Sequence, residues 1–459
     1  MSFIRKIKKG NSVYLAEVEG YRENGKVKQR CIKYLGKQIG DKVFKKIYTT
    51  DVEVNGVKQY LDVLAIHRIA KEIGITNIIK NKNILLLIYT HLLDYQSIVK
   101  LEDRINNTDM LQLLDLKETS TTKLYDALTD LDEMDFSKIQ DTIYNYLEKY
   151  EPKNKAMVID VTDTYFEGNN INIKKRKGKE SKVKKLLQIG LMTTFKYGFP
   201  IIHSNYDGNL SDICIFKDMI LKLKKRKTKA IIMDRGLSSF ENLKILLNLK
   251  IPVITGIRKN RKLIDDFILK TERKKIYNKE CRIKLKNSTV YVKDYKYKNG
   301  NLLVIYNPKI EIVKNEIAFE KEQYDKIGQL GYSLIFYNVK KMKVQEIVST
   351  YFEKDIIEKA FKKIKGVINL RPVRYWLKEH VRGHVKVCYI AYAILSLMEY
   401  KLKRSKKIEM SAIEALEKLK EGYKVELKDK TNNTKWDVVV SLKPKQKIIE
   451  KQLSVVYKN

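Results

Sequence analysis

The chain has 459 residues, with 93 Lys plus Arg against 55 Asp plus Glu and a formal net charge of +38. That length gives two to four domains with ample core, and a charge of that size favours a polyanionic partner, above all nucleic acid. The four cysteines, Cys31, Cys214, Cys281 and Cys388, are far apart and form no CxxC pair; this excludes a zinc ribbon and indicates a reducing compartment.

Residues 1–50 read as β structure. The stretch NSVYLAEVEGYRENGKVKQRCIKYLG holds two β-rich runs joined across Asn24-Gly25, a dipeptide suited to a two-residue hairpin turn. Residues 51–150 are helical by the three- and four-residue spacing of their apolar positions, with Thr121 or Thr122 as an N-cap. This block is the expected DNA-binding domain, although its acidic end points to packing for part of it. At residue 151 the pattern changes. KAMVIDVTDTYFEG is an apolar run carrying Asp160, Asp163 and Glu167, followed by a basic turn, INIKKRKGKESKVKK. LLQIGLMTTFKYG and FPIIHSNYDGN read as strands with an antiparallel connection near Gly198–Pro200. Then come an amphipathic helix, LSDICIFKDMILKLKKR, the buried strand KAIIMDRG ending in Asp234, a helix capped by Ser238 or Ser239, and the strand IPVITGIR, to residue 258.

Residues 259–330 alternate basic and apolar positions, with a turn at Asn299-Gly300, and read as a β-rich insertion. From 331 to 404 the buried-strand pattern resumes in GYSLIFYN. A helix follows, then a basic loop with Trp376 and a long apolar helix. Ile84–Leu93 and Val385–Met398 are shorter than a membrane span and contain His91 and Lys386, so they read as core helices. With no charged-then-apolar leader either, no membrane association and a cytoplasmic, nucleoid-associated location are expected. His380 and His384 have a metal-ligand spacing, but no third ligand lies nearby in sequence, and packing or phosphate contact is the favoured role. The tail, 405–459, is a helix followed by short β-like runs.

Candidate chemistry gathers on Thr350–Lys365, read as one amphipathic helix. At about 100° per residue, Tyr351, Lys354, Glu358 and Lys365 share an arc of roughly 60°, with Ile356, Ile357, Ala360 and Ile364 behind them. A carboxylate flanked by cations is a way to hold a metal beside a phosphate. Asp160 and Asp234 each end an apolar run, and α/β sheets form sites where strand ends carry polar side chains.

The series Tyr351-x2-Lys354-x3-Glu358-x6-Lys365 resembles the Y-R-E-K signature of the IS-four superfamily of insertion-sequence transposases, with Lys354 in place of Arg. IDVTDTYFEG and IIMDRG resemble that family's first and second acidic strands, matching Asp160 and Asp234. YDGNLSD, NLRPVRYW, HVKVCYIAYAIL and the opening YRENGKVKQRCIKYLGK agree as well, so the resemblance covers nearly the whole chain. It implies an α/β, ribonuclease H-like catalytic core of a mixed sheet with flanking helices, interrupted by the β-rich insertion and preceded by the hairpin and helical regions. It further implies a DDE triad of Asp160, Asp234 and Glu358, with Tyr351, Lys354 and Lys365 gripping phosphates. Three carboxylates suit a pair of Mg²⁺ (or Mn²⁺) ions, which prefer oxygen ligands and, about 4 Å apart, activate the attacking oxygen and stabilise the leaving one. No histidine is needed as a base. The expected activity is cleavage at the ends of an insertion sequence and 3′-hydroxyl strand transfer, in a cut-and-paste transposition. The partners are the terminal inverted repeats, target DNA and a second copy of the chain in a homodimer. Lys354 offers one compact charge where Arg would bind bidentately. The insertion has no Trp, so Tyr332 or Phe336 would have to stack any base flipped near the cut. Asp163, Glu167 and Asp212 are the competing acids. Two other readings share these residues: a metal-dependent nuclease that does not join ends, and a catalytically silent DNA-binding regulator. An ordinary globular protein, basic through AT-rich coding, leaves the ordered carboxylates to chance.

Overall fold

The computed structural model describes the chain apart from residues 1, 11, 41, 45–50, 94, 152–155, 167–174, 178–182, 208–209, 224–225, 227, 287, 324–328, 372, 374, 406–407, 432 and 455–459. Glu167 and most of the expected basic turn after it lie outside the described residues. The chain forms two units, one of Tyr60–Glu421 with Leu442–Val456, the other of Met1–Gln59 with Gly422–Ser441 and Tyr457–Asn459.

In the smaller unit, Ser2–Lys9, Ser12–Glu23, Lys26–Ile39 and Lys42–Phe44 make an antiparallel sheet in chain order. Asn24 and Gly25 have φ of 51° and 74°, and Glu23 pairs with Lys26 across them. Two positive φ values are what a tight hairpin turn needs to match the strand twist. A second antiparallel sheet pairs Tyr423–Asp429 with both Val52–Gln59 and Lys435–Val439. The β-like runs of the tail therefore close on a strand from the far end of the sequence.

The larger unit is built on one mixed sheet. Its longer strands are β1 (Ala156–Phe166), β2 (Val183–Thr194), β3 (Pro200–Asp207), β4 (Ala230–Met233), β5 (Val253–Ile257), β6 (Thr289–Tyr297), β7 (Gly300–Tyr306) and β8 (Tyr332–Tyr337), with Lys175–Lys177 and Arg282–Lys284 as short edge strands. The core order is β3-β2-β1-β4-β5, with β1, β4 and β5 parallel and β2 antiparallel to both β1 and β3, which is the ribonuclease H-like arrangement. The turn around Gly198 (φ 70°) makes the expected antiparallel connection between β2 and β3. The insertion continues the same sheet through β5-β8-β7-β6, antiparallel throughout.

Side chains alternate across β1. Met157, Ile159 and Val161 enter a core formed with helices α1 (Asp212–Leu223) and α2 (Phe240–Asn248). Gly190 lies opposite Val161, and a Cβ there would stand 2.2 Å from Met219 Sδ, so the missing side chain lets α1 sit close on the sheet. Val158, Asp160 and Thr162 face the other way by the two-residue period. On that side lie α4 (Val344–Phe352) and α5 (Ile356–Lys362), which follow α3 (Pro308–Glu320) of the insertion, and the 26-residue α6 (Lys378–Lys403).

Helices between Leu61 and Leu147 pack around α6. Ser120, one residue before the expected cap, accepts from Lys123 N at the start of Thr121–Glu133. Gly383 of α6 permits backbone contact with that helix: a Cβ would lie 2.2 Å from Leu128 O. Asp132 beside the crossing takes Arg382 and, at 3.0 Å, Lys386. Burial raises the Asp132 pKa, but hydrogen bonds from these two cations outweigh it and hold the carboxyl below its ordinary range. By length and composition α6 could cross a membrane, yet 89% of its apolar window is buried within the protein.

Candidate active site

The parallel register of β1 and β4 sets the first two acids side by side. Ile159 pairs with Met233, so Asp160 and Asp234 are the next step of the same ladder, on one face of strands about 4.8 Å apart. Asp160 is not at a strand end: β1 runs on to Phe166 against β2, and Asp160 marks only where its partner β4 stops. Its Oδ1 accepts from Val161 N at 2.8 Å, and the residue is half-buried. Asp234 follows the last residue of β4 and is more open.

Cationic and phenolic groups converge on Asp234. Tyr351 Oη donates to Asp234 Oδ1 at 3.5 Å, a long contact, and Lys354 Nζ stands 3.5 Å from the same oxygen and 4.6 Å from the Tyr351 ring centroid. Burial and then the charge of Asp234 push the Tyr351 hydroxyl up to about 12, so it remains a donor at neutral pH. Gly256 of β5 is what admits it. A Cβ there would lie 2.1 Å from Tyr351 Oη and 2.8 Å from Arg235 Cγ. Lys365 reaches the other acid's strand, donating from Nζ to Thr162 Oγ1, two residues past Asp160 and on its face.

The single helix expected over Thr350–Lys365 is instead two, so the 60° arc does not exist. α4 ends at Phe352, Glu353–Asp355 form a turn, α5 covers Ile356–Lys362, and a wider π turn spans Lys363–Val367. Ile357, Ala360 and Ile364 are buried as expected, joined by Phe361, while Ile356 is only half-buried. Glu358 lies on the exposed side of α5, whose other side packs on β1 and β2. The three carboxylates are not gathered: among the described residues the only trio of His, Cys, Asp and Glu with donor atoms within 4.8 Å of one another is His91, His384 and Cys388. Asp163, by parity, faces away from Asp160, and Asp212 opens α1 on that opposite side, where Gln188 Nε2 reaches it at 3.5 Å.

A cavity of about 790 Å³ opens where the α4–α5 turn meets the insertion, lined by Lys196, Lys284, Lys286 and Lys359 with Glu353 and Asp355. Tyr332 is core, its ring 5.0 Å from that of Tyr306 and its hydroxyl donating to Thr271 O, which removes it as a base-stacking candidate. Phe336 is also buried but lines a second cavity, of about 460 Å³, with Phe240, Tyr297 and Lys298. All five histidines are held below their ordinary value, each chiefly by burial, His203 at about 3 and His384 at about 4. They are neutral at pH 7, and four of them hold partners away from the two aspartates, His67 with Tyr89, His91 with Ile368 O, His203 with Asn205 and His384 with Leu370 O. Gly256 and Thr162 were missed by sequence reasoning. A glycine inside a buried strand, as in VITGI, is the signal of a close approach that marks the first.

Residues 151–394, more than half of the chain, match the family model described as the transposase DDE domain. The chain is a DDE transposase. Its residues 4–41 also match the model of the IS1634 family transposase N-terminal domain, a stretch that takes in the first three strands of the four-stranded sheet but not Lys42–Phe44. No curated protein matches the transposase. Among solved structures it is similar to a piggyBac transposase synaptic complex with hairpin DNA, at 12% identity and a TM-score of 0.42, over 78% of this chain and 76% of that one. Family membership makes the transposase an enzyme of DNA cleavage and strand transfer that depends on a divalent metal ion. The donor set on the site face fits such an ion: carboxylate oxygens from neighbouring strands, in an open position, are what hard divalent cations bind.

Proposed function

We propose that this transposase binds the terminal inverted repeats of an insertion sequence, cleaves there, and joins the 3′-hydroxyl ends to target DNA in a cut-and-paste reaction. Asp160, Asp234 and Glu358 are the catalytic and metal-holding residues, and two Mg²⁺ or Mn²⁺ ions are the cofactor. The observation that carries this reading is the pairing of Asp160 with Asp234 on one face of the sheet, with Tyr351, Lys354 and Lys365 on that same face. When bound, the ions activate the attacking oxygen and stabilise the leaving one. The chain's own part is to aim carboxylates at them and cations at the flanking phosphates.

Asp234 is partly engaged by Lys354 at 3.5 Å, with the carboxylate about half exposed. A pair this open is worth only about 0–1 kcal/mol, so releasing Asp234 toward an ion is cheap and frees Lys354 for a phosphate. Glu358 completes the set by turning the exposed side of α5 to the pair. Tyr351 donates its hydroxyl to a phosphate oxygen, and Lys365, bonded to Thr162 two residues along the strand face from Asp160, neutralises the next one. The +38 charge brings the DNA in. Residues 1–50 and the block 51–150, which opens with the strand Val52–Gln59 where a helix was expected and is helical from Leu61, read the ends, 151–258 with 331–404 form the core, 259–330 is its insertion and 405–459 the tail. Two chains pair the two ends as a homodimer in the nucleoid.

The test is Asp160→Asn, Asp234→Asn and Glu358→Gln, assayed for nicking of end DNA in Mg²⁺ and for joining of pre-cut 3′-hydroxyl ends. Each substitution is expected to abolish both activities and leave end binding largely intact. Full activity in any one reassigns that residue. A parent enzyme that nicks but never joins pre-cut ends is a nuclease.

A further inference from the structure

The chemistry that the acidic face leaves unused is a buried trio beneath α6. His91 ends the helix Lys82–Thr90, and His384 and Cys388 are one turn apart on α6. Cys388 Sγ is 3.9 Å from His91 Nδ1 and 3.9 Å from His384 Nε2, and all three side chains are buried. Two backbone carbonyls reach the same spot from the loop that follows α5. Ile368 O is 2.7 Å from His91 Nδ1, and Leu370 O is 3.2 Å from His384 Nε2. His380, the other half of the expected His-x3-His pair, is elsewhere, its ring stacked 5.1 Å from that of Tyr125.

Hydrogen bonding to the two carbonyls accounts for one nitrogen of each ring. It leaves the buried thiol with only the long contacts to those same two nitrogens, 3.9 Å each. We propose that His91, His384 and Cys388 are ligands of a structural zinc ion, with one of the two loop carbonyls as the fourth. Zn–S of about 2.3 Å and Zn–N of about 2.0–2.1 Å place tetrahedral sulfur and nitrogen ligands about 3.6 Å apart and two nitrogens about 3.3 Å apart, so each sulfur–nitrogen spacing closes by about 0.3 Å, and the two histidine nitrogens, which lie with the sulfur within 4.8 Å of one another, draw together as the ion binds. Thiolate and imidazole select zinc over the oxygen-seeking ions of the acidic face. On binding, the Cys388 thiol would give its proton to solvent, and each imidazole would move its proton to its other ring nitrogen, His91 Nε2 and His384 Nδ1, freeing the nitrogen that now faces a carbonyl to hold the ion. The ion ties three segments together: the end of a helix in the N-terminal half, the core helix, and the loop just after the Glu358 helix.

The experiment is metal analysis of the full-length protein, made without a metal-affinity tag, supplied with Zn²⁺ and dialysed against metal-free buffer. About one zinc per chain is expected, unchanged in Asp234→Asn, which separates this site from the acidic face, and below about a tenth in Cys388→Ser. Replacement by Co²⁺ is expected to give a near-ultraviolet thiolate-to-cobalt charge-transfer band in the parent. That measurement decides the matter even if Cys388→Ser fails to fold. A parent protein that retains no zinc and shows no such band overturns the site and leaves the trio as hydrogen-bonded packing.

Discussion

Gly256→Ala probes the site with a single methyl group. The added Cβ would stand 2.1 Å from Tyr351 Oη, 2.8 Å from Arg235 Cγ and 2.9 Å from Tyr351 Cζ. An ordinary carbon–oxygen contact is about 3.3 Å, so the phenol must retreat by roughly 1.2 Å. Overpacking of this kind costs about 1–3 kcal/mol, offset by roughly 0.5–1 kcal/mol because alanine loses less backbone freedom than glycine in a strand. A net loss of about 1–2 kcal/mol is therefore expected in urea denaturation. The contact of Tyr351 with Asp234 is already long at 3.5 Å and does not survive such a shift. A displacement near 1 Å at a reacting centre lowers rate by about 10²-fold, to be read as nicking of end DNA in Mg²⁺. Tyr351→Phe removes the atom with the worst clash, so the pair of substitutions should show a favourable coupling of about 1 kcal/mol in a double-mutant cycle. Parent-like stability and activity in Gly256→Ala, or zero coupling, would refute the placement of Tyr351 against β5.

Lys365→Ala is expected to weaken binding of cut end DNA and to reduce the slope of log K against log salt by about one, the share of one phosphate contact; an unchanged slope removes the residue from the DNA interface. Asp163→Asn, on the opposite face of β1 from Asp160, should cleave like the parent, and its inactivity would transfer the first-acid role to it. His203 is held at about 3 by burial. Its neutral form thus contributes stability that is fully present above pH 6.5 and is lost as pH falls toward 3, on the order of 4–5 kcal/mol in all. Its ring carbon shifts in an NMR titration should still report a neutral imidazole at pH 5; a midpoint near 6.5 would contradict its burial.

Much of the core was legible because local pattern and burial agree there. MVID and IIMD are short apolar runs of the kind that buried parallel strands make, and each places its aspartate at the same step of the parallel ladder. Asn24-Gly25 announced its turn through the φ values it tolerates. What stayed hidden was set by partners distant in sequence. Nothing local in Val52–Gln59 says that Tyr423–Asp429 will pair with it. Nothing around His384 names His91, which arrives from another helix through the folding of the N-terminal half. The sense of an acid within a strand is legible in one respect only: two residues of odd spacing, Asp160 and Asp163, must face opposite ways.

The break between α4 and α5 shows how tertiary contacts overrule a periodic pattern. Periodicity reads Thr350–Lys365 as one helix, and neither Pro nor Gly interrupts it before Gly366. A fainter signal was present: Asp355-Ile356-Ile357-Glu358 has an N-cap residue with Glu three positions on, as at a helix start. Asp355 does stand at the N-cap of α5, although its carboxylate pairs with Lys359 at 2.7 Å rather than capping. The gain that offsets the lost helical hydrogen bonds is double anchoring. Tyr351 is seated over Gly256 of β5, while Ile357, Ala360, Phe361 and Ile364 bury their side chains beyond the turn, where α5 packs on β1 and β2. Tyr351 and Lys354 are thereby directed at Asp234, and Lys365 at Thr162 on the strand of Asp160. Glu358 is left on the exposed side of a two-turn helix whose other side is held by the sheet.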